Sequence, residues 1–237
     1  MSDFKQIYSS RAEDYERLVE REDYRGKIKQ ALVRVQPLSG LDVVELGAGT
    51  GRLTCLLAPE VKHIEAFDIS DHMLAVAKNK LFQGGFANWH LGVADNRQLP
   101  LKTATADLAL AGWSLAHSVA WYPESWHHEI GQALAEMARV VRPGGTIILL
   151  ETLGTNREEP LPPTPELATY YHWLEQAHRF RRNWIRTDYA FDSVQEAADL
   201  TRFFFGDEMA DDVLAKGSSI VPECTGIWWR TTDRQQQ

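Results

Sequence analysis

"VVELGAGTGRLT", residues 43–54, sets an apolar run ahead of three glycines at alternate positions, Gly47, Gly49 and Gly51. A buried strand that turns straight into a helix needs a permissive connection, and glycine also lets a ligand approach the backbone without a Cβ in the way. "LDVVEL" (41–46) before the glycines reads as that strand, and "GRLTCLLA" after them as the start of a helix. The spacing is G-x-G-x-G. Arg52 stands where the dinucleotide fingerprint G-x-G-x-x-G would carry its third glycine.

Outward from this loop, strand and helix patterns alternate from residue 41 to 152. "HIEAFDIS" (63–70), "ANWHLGVAD" (87–95), "ADLALAGWSL" (106–115) and "TIILLET" (146–152) read as further strands. "DHMLAVAKNKLF" and "SWHHEIGQALAEMARVV" read as helices, the second with Ile130, Ala133, Leu134, Met137, Val140 and Val141 on one stripe. The near-continuous apolar run of "TIILLET" suits a strand covered on both faces. This alternation argues for a mainly parallel sheet with helices on both sides.

The flanks read differently. Residues 10–35 carry a helical pattern that Pro37 and Gly40 stop. After residue 152 a proline-rich loop precedes a helix expected over 166–184, with Tyr170, Trp173, Leu174, Ala177, Phe180 and Trp184 at helical spacing. "IRTDYAF" and "SSIVPECTGIWWRT" read as closing strands around a helix in "SVQEAADLTRFFFG". The expected organisation is one domain over 1–237, with a lead-in helix in 1–36 and an insertion or cap in 153–184.

Bulk properties narrow the function classes. The 237 residues with 44 % hydrophobic content suffice for one full core. A net charge of −8 gives no whole-chain basic footprint for nucleic acid. Two distant cysteines, Cys55 and Cys224, make neither a disulfide framework nor a metal knuckle. The N-terminal stretch is charged throughout, and no apolar run approaches a membrane span. The expectation is a cytoplasmic protein with no membrane, nucleic-acid or metal partner. His127 and His128 diverge around a helix, and His172 and His178 are poorly spaced for one ion.

The set "VVELGAGTGRLT", "AFDISDHMLAVA", "GVADNRQLPL", "ADLALAGWSL" and "EMARVVRPGGTIILLE", in this order, resembles the class I S-adenosylmethionine-dependent methyltransferases over residues 41–152. "YSSRAEDYERL" is similar to the lead-in helix of small-molecule members. The resemblance implies an α/β, Rossmann-like, doubly wound sheet of seven strands, mostly parallel with an antiparallel last strand. It also implies S-adenosylmethionine as cofactor and a small-molecule acceptor. Glu45, Gly47, Ala48, Gly49 and Gly51 would line the methionine moiety, and Asp68 would take the ribose hydroxyls. Ile69 and Met73 would lie beside the adenine, with Ala94, Asp95 and Asn96 at its amino edge. Ala111 to Trp113 would sit near the sulfonium, and Tyr15 would contact cofactor or acceptor.

Methyl transfer from a sulfonium needs alignment and dryness more than acid–base help, so a base matters only for an acceptor that arrives protonated. His117 in "GWSLAHSVAWYP" is the candidate base. Tyr8, Tyr15, Trp113, His117 and Tyr122 are the expected acceptor wall, covered by the insertion. Two other classes compete with this reading. A nicotinamide-type oxidoreductase could use a similar sheet, although the early third glycine and the added Asp95 speak against it. A non-catalytic S-adenosylmethionine-binding module would share every cofactor residue.

Overall fold

The computed structural model describes residues 4–233. The lead-in is three helices, α1 (Phe4–Ser10), α2 (Ala12–Val19) and α3 (Lys27–Val35). The alternating part runs β1 (Asp42–Leu46), α4 (Arg52–Leu57), β2 (His63–Asp68), α5 (Asp71–Gln83), β3 (Trp89–Val93), β4 (Ala106–Gly112), α6 (His117–Trp121), α7 (Trp126–Val140) and β5 (Val141–Thr155). Then come α8 (Pro165–Gln176), β6 (Arg181–Arg186), β7 (Tyr189–Ala190), α9 (Val194–Phe205), α10 (Asp207–Lys216), β8 (Ile220–Val221) and β9 (Glu223–Thr231).

Seven strands form one sheet in the order β3-β2-β1-β4-β5-β9-β6. The first five pair in parallel, and β9 runs antiparallel to both β5 and β6. The expected seven-stranded, mostly parallel sheet with a reversed last strand is therefore what the chain forms.

Side-chain alternation explains the two covered faces. On β5, Ile147 and Leu149 pack with Ile130, Leu134 and Met137 of α7. Ile148 and Leu150 pack on the other face with Ile28 and Leu32 of α3 and Leu53 and Leu57 of α4. All four β5 residues are fully buried. Each such side chain contributes about 1.5–3 kcal/mol of burial free energy.

A smaller third core lies apart from the sheet. Leu18 of α2 packs there with Tyr189, Phe191, Val221 and the buried faces of α9 and α10. The short β7–β8 pair and a bridge from Glu22 to Tyr189 tie this lobe to the lead-in.

The structure differs from the sequence reading at the flanks. The lead-in helix is interrupted at residues 20–26, where Asp23 and Gly26 adopt positive φ. Asp23 then caps α3 by accepting from the Lys27 and Ile28 N–H groups. The helix expected to reach residue 184 ends at Gln176, and Arg179 turns the chain at φ +58°. Phe180 keeps the helical apolar spacing but is buried from the turn, and Arg181–Arg186 pairs with β9. "IRTDYAF" is divided between the main sheet and the small one. β5 begins at Val141, so "RPGG" lies inside the strand.

Candidate active site

The carboxyl ends of β1, β2, β3 and β4 open on one cavity of about 590 Å³. The glycine loop, the β2–α5 turn, the segment after β3, the β4–α6 turn and the lead-in helices all contribute to its wall. This is the crevice where parallel α/β sheets bind ligands.

The three glycines serve different ends. A Cβ on Gly47 would stand 2.2 Å from Ser114 Oγ, and one on Gly51 2.8 Å from the Ala77 Cβ of α5. These two positions allow neighbouring segments to close on the loop. Gly49 has φ +55° and lines the cavity; the nearest atom to an added Cβ is Met73 Cε at 3.6 Å. Gly49 is thus the position that leaves the backbone open to a ligand.

Asp68 stands at the end of β2 and lines the cavity. Its carboxylate accepts from Gly49 N and Ser70 N, each at 2.8 Å. Burial raises its pKa, against the lowering effect of those N–H groups. Glu45, on β1, accepts from Thr54 Oγ1 at 2.6 Å, and burial pushes its carboxyl up to about 8. Glu45 is therefore largely protonated near neutral pH.

Asp95 lies after β3 but is not free-standing. Arg97 donates to both its oxygens and also pairs with Glu129 of α7, and this guanidinium holds Asp95 below the usual carboxylate range. Asn96 donates to Ser114 Oγ at 3.1 Å, linking the β3 and β4 ends. Ala48, Ile69 and Met73 line the same cavity, and Ile69 is 72 % exposed, an unusual state for an isoleucine.

The aromatic part of the wall is assembled from distant segments. His117 begins a short helix rather than lying on a loop. Its Nε2 meets Tyr8 Oη at 2.8 Å, and it makes a second hydrogen bond to the Trp113 backbone. A carbonyl can only accept, so the ring N–H goes to Trp113 and Nε2 accepts from Tyr8. Burial pushes His117 down to about 4, so the ring is neutral at physiological pH. Trp121 stacks on His117 at 5.0 Å, and Tyr15 meets Tyr8 edge-on at 5.4 Å. Ser70 Oγ caps α5 and also donates to the Tyr8 carbonyl at 2.9 Å, which pins α1 over the β2 end.

Trp113 lines the cavity at φ +50°, and one face of its indole carries the Arg52 guanidinium at 4.1 Å. Tyr122 is on the wall beside Arg97. Gly51, Ala94 and Ala111 are not on it: Gly51 packs on α5, Ala111 is fully buried in the sheet, and Ala94 leans on the core below. None of residues 153–184 lines the cavity, because Tyr170, Tyr171 and Leu174 of α8 are buried in the main core. The segment over the lead-in aromatics is instead the 187–222 lobe, whose Phe204 lies 5.0 Å from Phe4 and 5.5 Å from Tyr15. Sequence reasoning missed Arg52, Arg97 and Trp121 on the wall, and Phe204 packed behind Tyr15. Arg52 sat in the glycine stretch itself but registered only as a break in a fingerprint.

Residues 44–149 match the family model described as a methyltransferase domain. Over these residues, a little under half of its length, the chain is similar to that family. O-methyltransferase cnsE of Penicillium expansum is 30% identical over 145 residues, 60% of this chain and 48% of that protein. Demethylmenaquinone methyltransferase of Lactiplantibacillus plantarum is 32% identical over 138 residues, 56% of this chain and 53% of that protein. The chain thus spans about half the length of the curated relatives it matches. Among solved structures, phosphoethanolamine N-methyltransferase 2 of Haemonchus contortus, in complex with phosphomonomethylethanolamine and S-adenosylhomocysteine, shares the fold. It aligns with TM-score 0.61 at 14% identity, over 98% of this chain and 59% of that one.

The domain match decides against the oxidoreductase alternative. S-adenosylmethionine is the cofactor of this family, and the wall residues fit it. Gly49 leaves room at the backbone, Asp68 offers carboxylate lone pairs, and Thr50 Oγ1 and Arg52 Nη2 are buried polar atoms without a hydrogen-bond partner. Among the described residues no helix is long and apolar enough to cross a membrane, and no group of His, Cys, Asp or Glu could hold a metal ion.

Proposed function

We propose that this chain transfers a methyl group from S-adenosylmethionine to a small-molecule acceptor, as one cytoplasmic domain acting without nucleic acid. The observation that carries the reading is continuity. One cavity of about 590 Å³ is lined both by Gly49, Asp68 and Asp95 and by Tyr8, Tyr15, Trp113, His117 and Tyr122. A space of that size suits a small molecule and its cofactor, not a polymer. The demethylmenaquinone in one relative's name is a quinone, whose ring is of the kind an aromatic wall accommodates. The free thiols Cys55 and Cys224 agree with a reducing setting.

The roles are those the family resemblance implies. Asp68 accepts from the ribose hydroxyls, and Asp95, braced by Arg97, takes the adenine amino edge with Asn96 beside it. Ile69 and Met73 lie beside the adenine, while Glu45, Gly47, Ala48 and Gly49 line the methionine end. When bound, S-adenosylmethionine supplies an electrophilic methyl whose leaving group is a neutral thioether. The aromatic wall holds the acceptor in line and excludes water. An acceptor hydroxyl donating to Tyr8 Oη completes a chain in which its proton passes to Tyr8 and the Tyr8 proton to His117 Nε2. That relay would leave the acceptor oxygen as the nucleophile aligned for the methyl that the bound cofactor would supply.

The test is S-adenosylhomocysteine production with a panel of hydroxylated aromatic acceptors. His117→Ala should lower kcat by about 10²–10⁴-fold, the usual worth of a positioned base, and leave cofactor affinity unchanged. The wild-type acid limb should lie near pH 4–5 rather than 6.5, because His117 protonates only near 4. An acid limb near 6.5, or an unchanged kcat, would remove His117 as the base. No turnover with any acceptor, together with tight cofactor binding, would favour the non-catalytic module.

A further inference from the structure

We propose that Glu151 is a positioning residue, which holds the β4–α6 turn so that His117 meets Tyr8. The inference rests on the reading above that His117 takes the acceptor proton, and it adds the group that sets the place of that ring.

The turn needs a hold from outside. Trp113, which opens it, sits at φ +50°, a backbone conformation that strains an L side chain. His117 closes it as the first residue of α6. The first N–H groups of a helix have no acceptor within it, and a capping side chain normally takes one of them. The N-cap position of α6 is Ala116, whose methyl accepts nothing. The acceptor comes from the neighbouring strand instead. Glu151 Oε1 accepts from Ala116 N at 3.0 Å, and the Leu115 N–H also donates to this carboxyl. One residue earlier on β5, the Leu150 carbonyl accepts from Trp113 N at 2.7 Å. Adjacent residues of one strand thus pin both ends of the turn.

Glu151 is an expensive residue at this place. It is fully buried on the face of β5 where Leu149 and Leu153 pack into the main core. An apolar side chain there would escape the desolvation that a carboxyl suffers. Away from the turn, Tyr170 Oη donates to Oε1 at 3.4 Å, a longer bond than the one from Ala116. The acid is therefore engaged chiefly by the segment that carries His117. That segment decides the aromatic end of the cavity, because His117 Nε2 accepts from Tyr8 Oη at 2.8 Å and both residues line the wall. Tyr8 belongs to α1, 109 residues away in sequence, so a shift of the turn moves His117 against it. Gly49, Asp68 and Asp95 stand on other turns and stay in place.

The experiment uses the full chain as Glu151→Gln and Glu151→Leu, with Glu151→Met as a second apolar variant. Burial keeps Glu151 largely protonated near neutral pH, so glutamine copies both its carbonyl acceptor and its neutral state there. Leucine and methionine offer the turn no oxygen. Three readouts are taken near neutral pH: S-adenosylhomocysteine affinity by calorimetry, kcat with the acceptor panel, and the nitrogen NMR signals of the His117 ring. The wild-type ring should show one tautomer, protonated at Nδ1, since Nε2 accepts from Tyr8. Glu151→Leu should bind S-adenosylhomocysteine within about twofold of wild type, lose about 10–100-fold in kcat, the effect of a small misplacement, and show mixed His117 tautomers. Glu151→Gln should restore the single tautomer and a kcat within about threefold of wild type. Wild-type ring signals in both apolar variants would overturn the proposal, and so would glutamine as damaging as leucine. Parallel losses of S-adenosylhomocysteine affinity and kcat would overturn it in favour of a role in the fold alone. The ring signals need no acceptor, so they decide the hold on His117 even without turnover. Mixed tautomers in Glu151→Leu beside an unchanged kcat in His117→Ala would support the hold and overturn the base reading on its own.

Discussion

Replacing Asp68 should separate ligand affinity from stability. The Asp68 carboxylate accepts two backbone N–H bonds at 2.8 Å, from Gly49 and Ser70, and its remaining lone pairs face the cavity. In the proposed complex those lone pairs take two ribose hydroxyls. Each charge-assisted bond is worth about 1.5–3 kcal/mol. Asp68→Ala should therefore cost about 3–6 kcal/mol of binding, roughly 10²–10⁴-fold in Kd. Stability should respond differently. Burial raises the folded-state pKa of Asp68 above its unfolded value. The stabilising contribution of its protonated form is present below the unfolded pKa and lost as pH rises through the folded one. At pH 7 the ionised group is thus a cost to the folded protein, and the alanine variant relieves it. Losing the two backbone bonds to the same carboxylate, charge-assisted as well, returns about 1.5–3 kcal/mol each in the other direction, largely offset by that relief. The net change in Tm should be a few degrees at most. Titration calorimetry with S-adenosylhomocysteine and a thermal melt of the same sample test both halves. A Kd within threefold of wild type would refute the ribose role. A large Kd loss together with a Tm fall above about 10 °C would show that Asp68 merely holds the loop.

Two further outcomes are expected. Gly49→Val should abolish S-adenosylhomocysteine binding while lowering stability by only about 1–3 kcal/mol, since the strain is confined to a residue at φ +55° whose Cβ faces the cavity; circular dichroism and calorimetry together check this. Burial pushes Glu151 up to about 8, so wild-type stability should fall as pH rises from about 4.5 towards 8, and Glu151→Gln should flatten that fall in urea titrations at pH 5 and pH 8.

The parts of this protein that were legible in sequence are those whose determinants are local. Gly47, Gly49 and Gly51, the apolar run of "TIILLET" and the α7 stripe each state their own conformation within a dozen residues. Asp68 and Asp95 could be read because strand ends follow from strand lengths. The flanks were not legible, for physical reasons. Phe180 and Trp184 continue a helical spacing past Ala177, but backbone pairing of Arg181–Arg186 with β9, about 40 residues on, outweighs that propensity. The break at residues 20–26 depends on Asp23, a capping residue whose two acceptor bonds form only once α3 is in place. The Arg97 brace on Asp95 reaches Glu129 on α7, and pairings at that separation carry no periodic signal.

The same distinction divides the cavity. Its cofactor end is made by consecutive strand-to-helix turns of one sheet, so any chain with this sheet and these glycines arrives at it. Its aromatic end is joined across the chain: Tyr8 to His117 over 109 residues, and Phe204 of α9 against Phe4 and Tyr15. Those contacts belong to the lead-in and to the small core that holds α2, α9 and α10 together, not to the sheet. Substitutions in that small core therefore shift the position of Tyr15 and Phe204 while leaving Asp68, Gly49 and Asp95 where the sheet fixes them. In the proposed function, acceptor choice would change there while the cofactor end stays where the sheet fixes it.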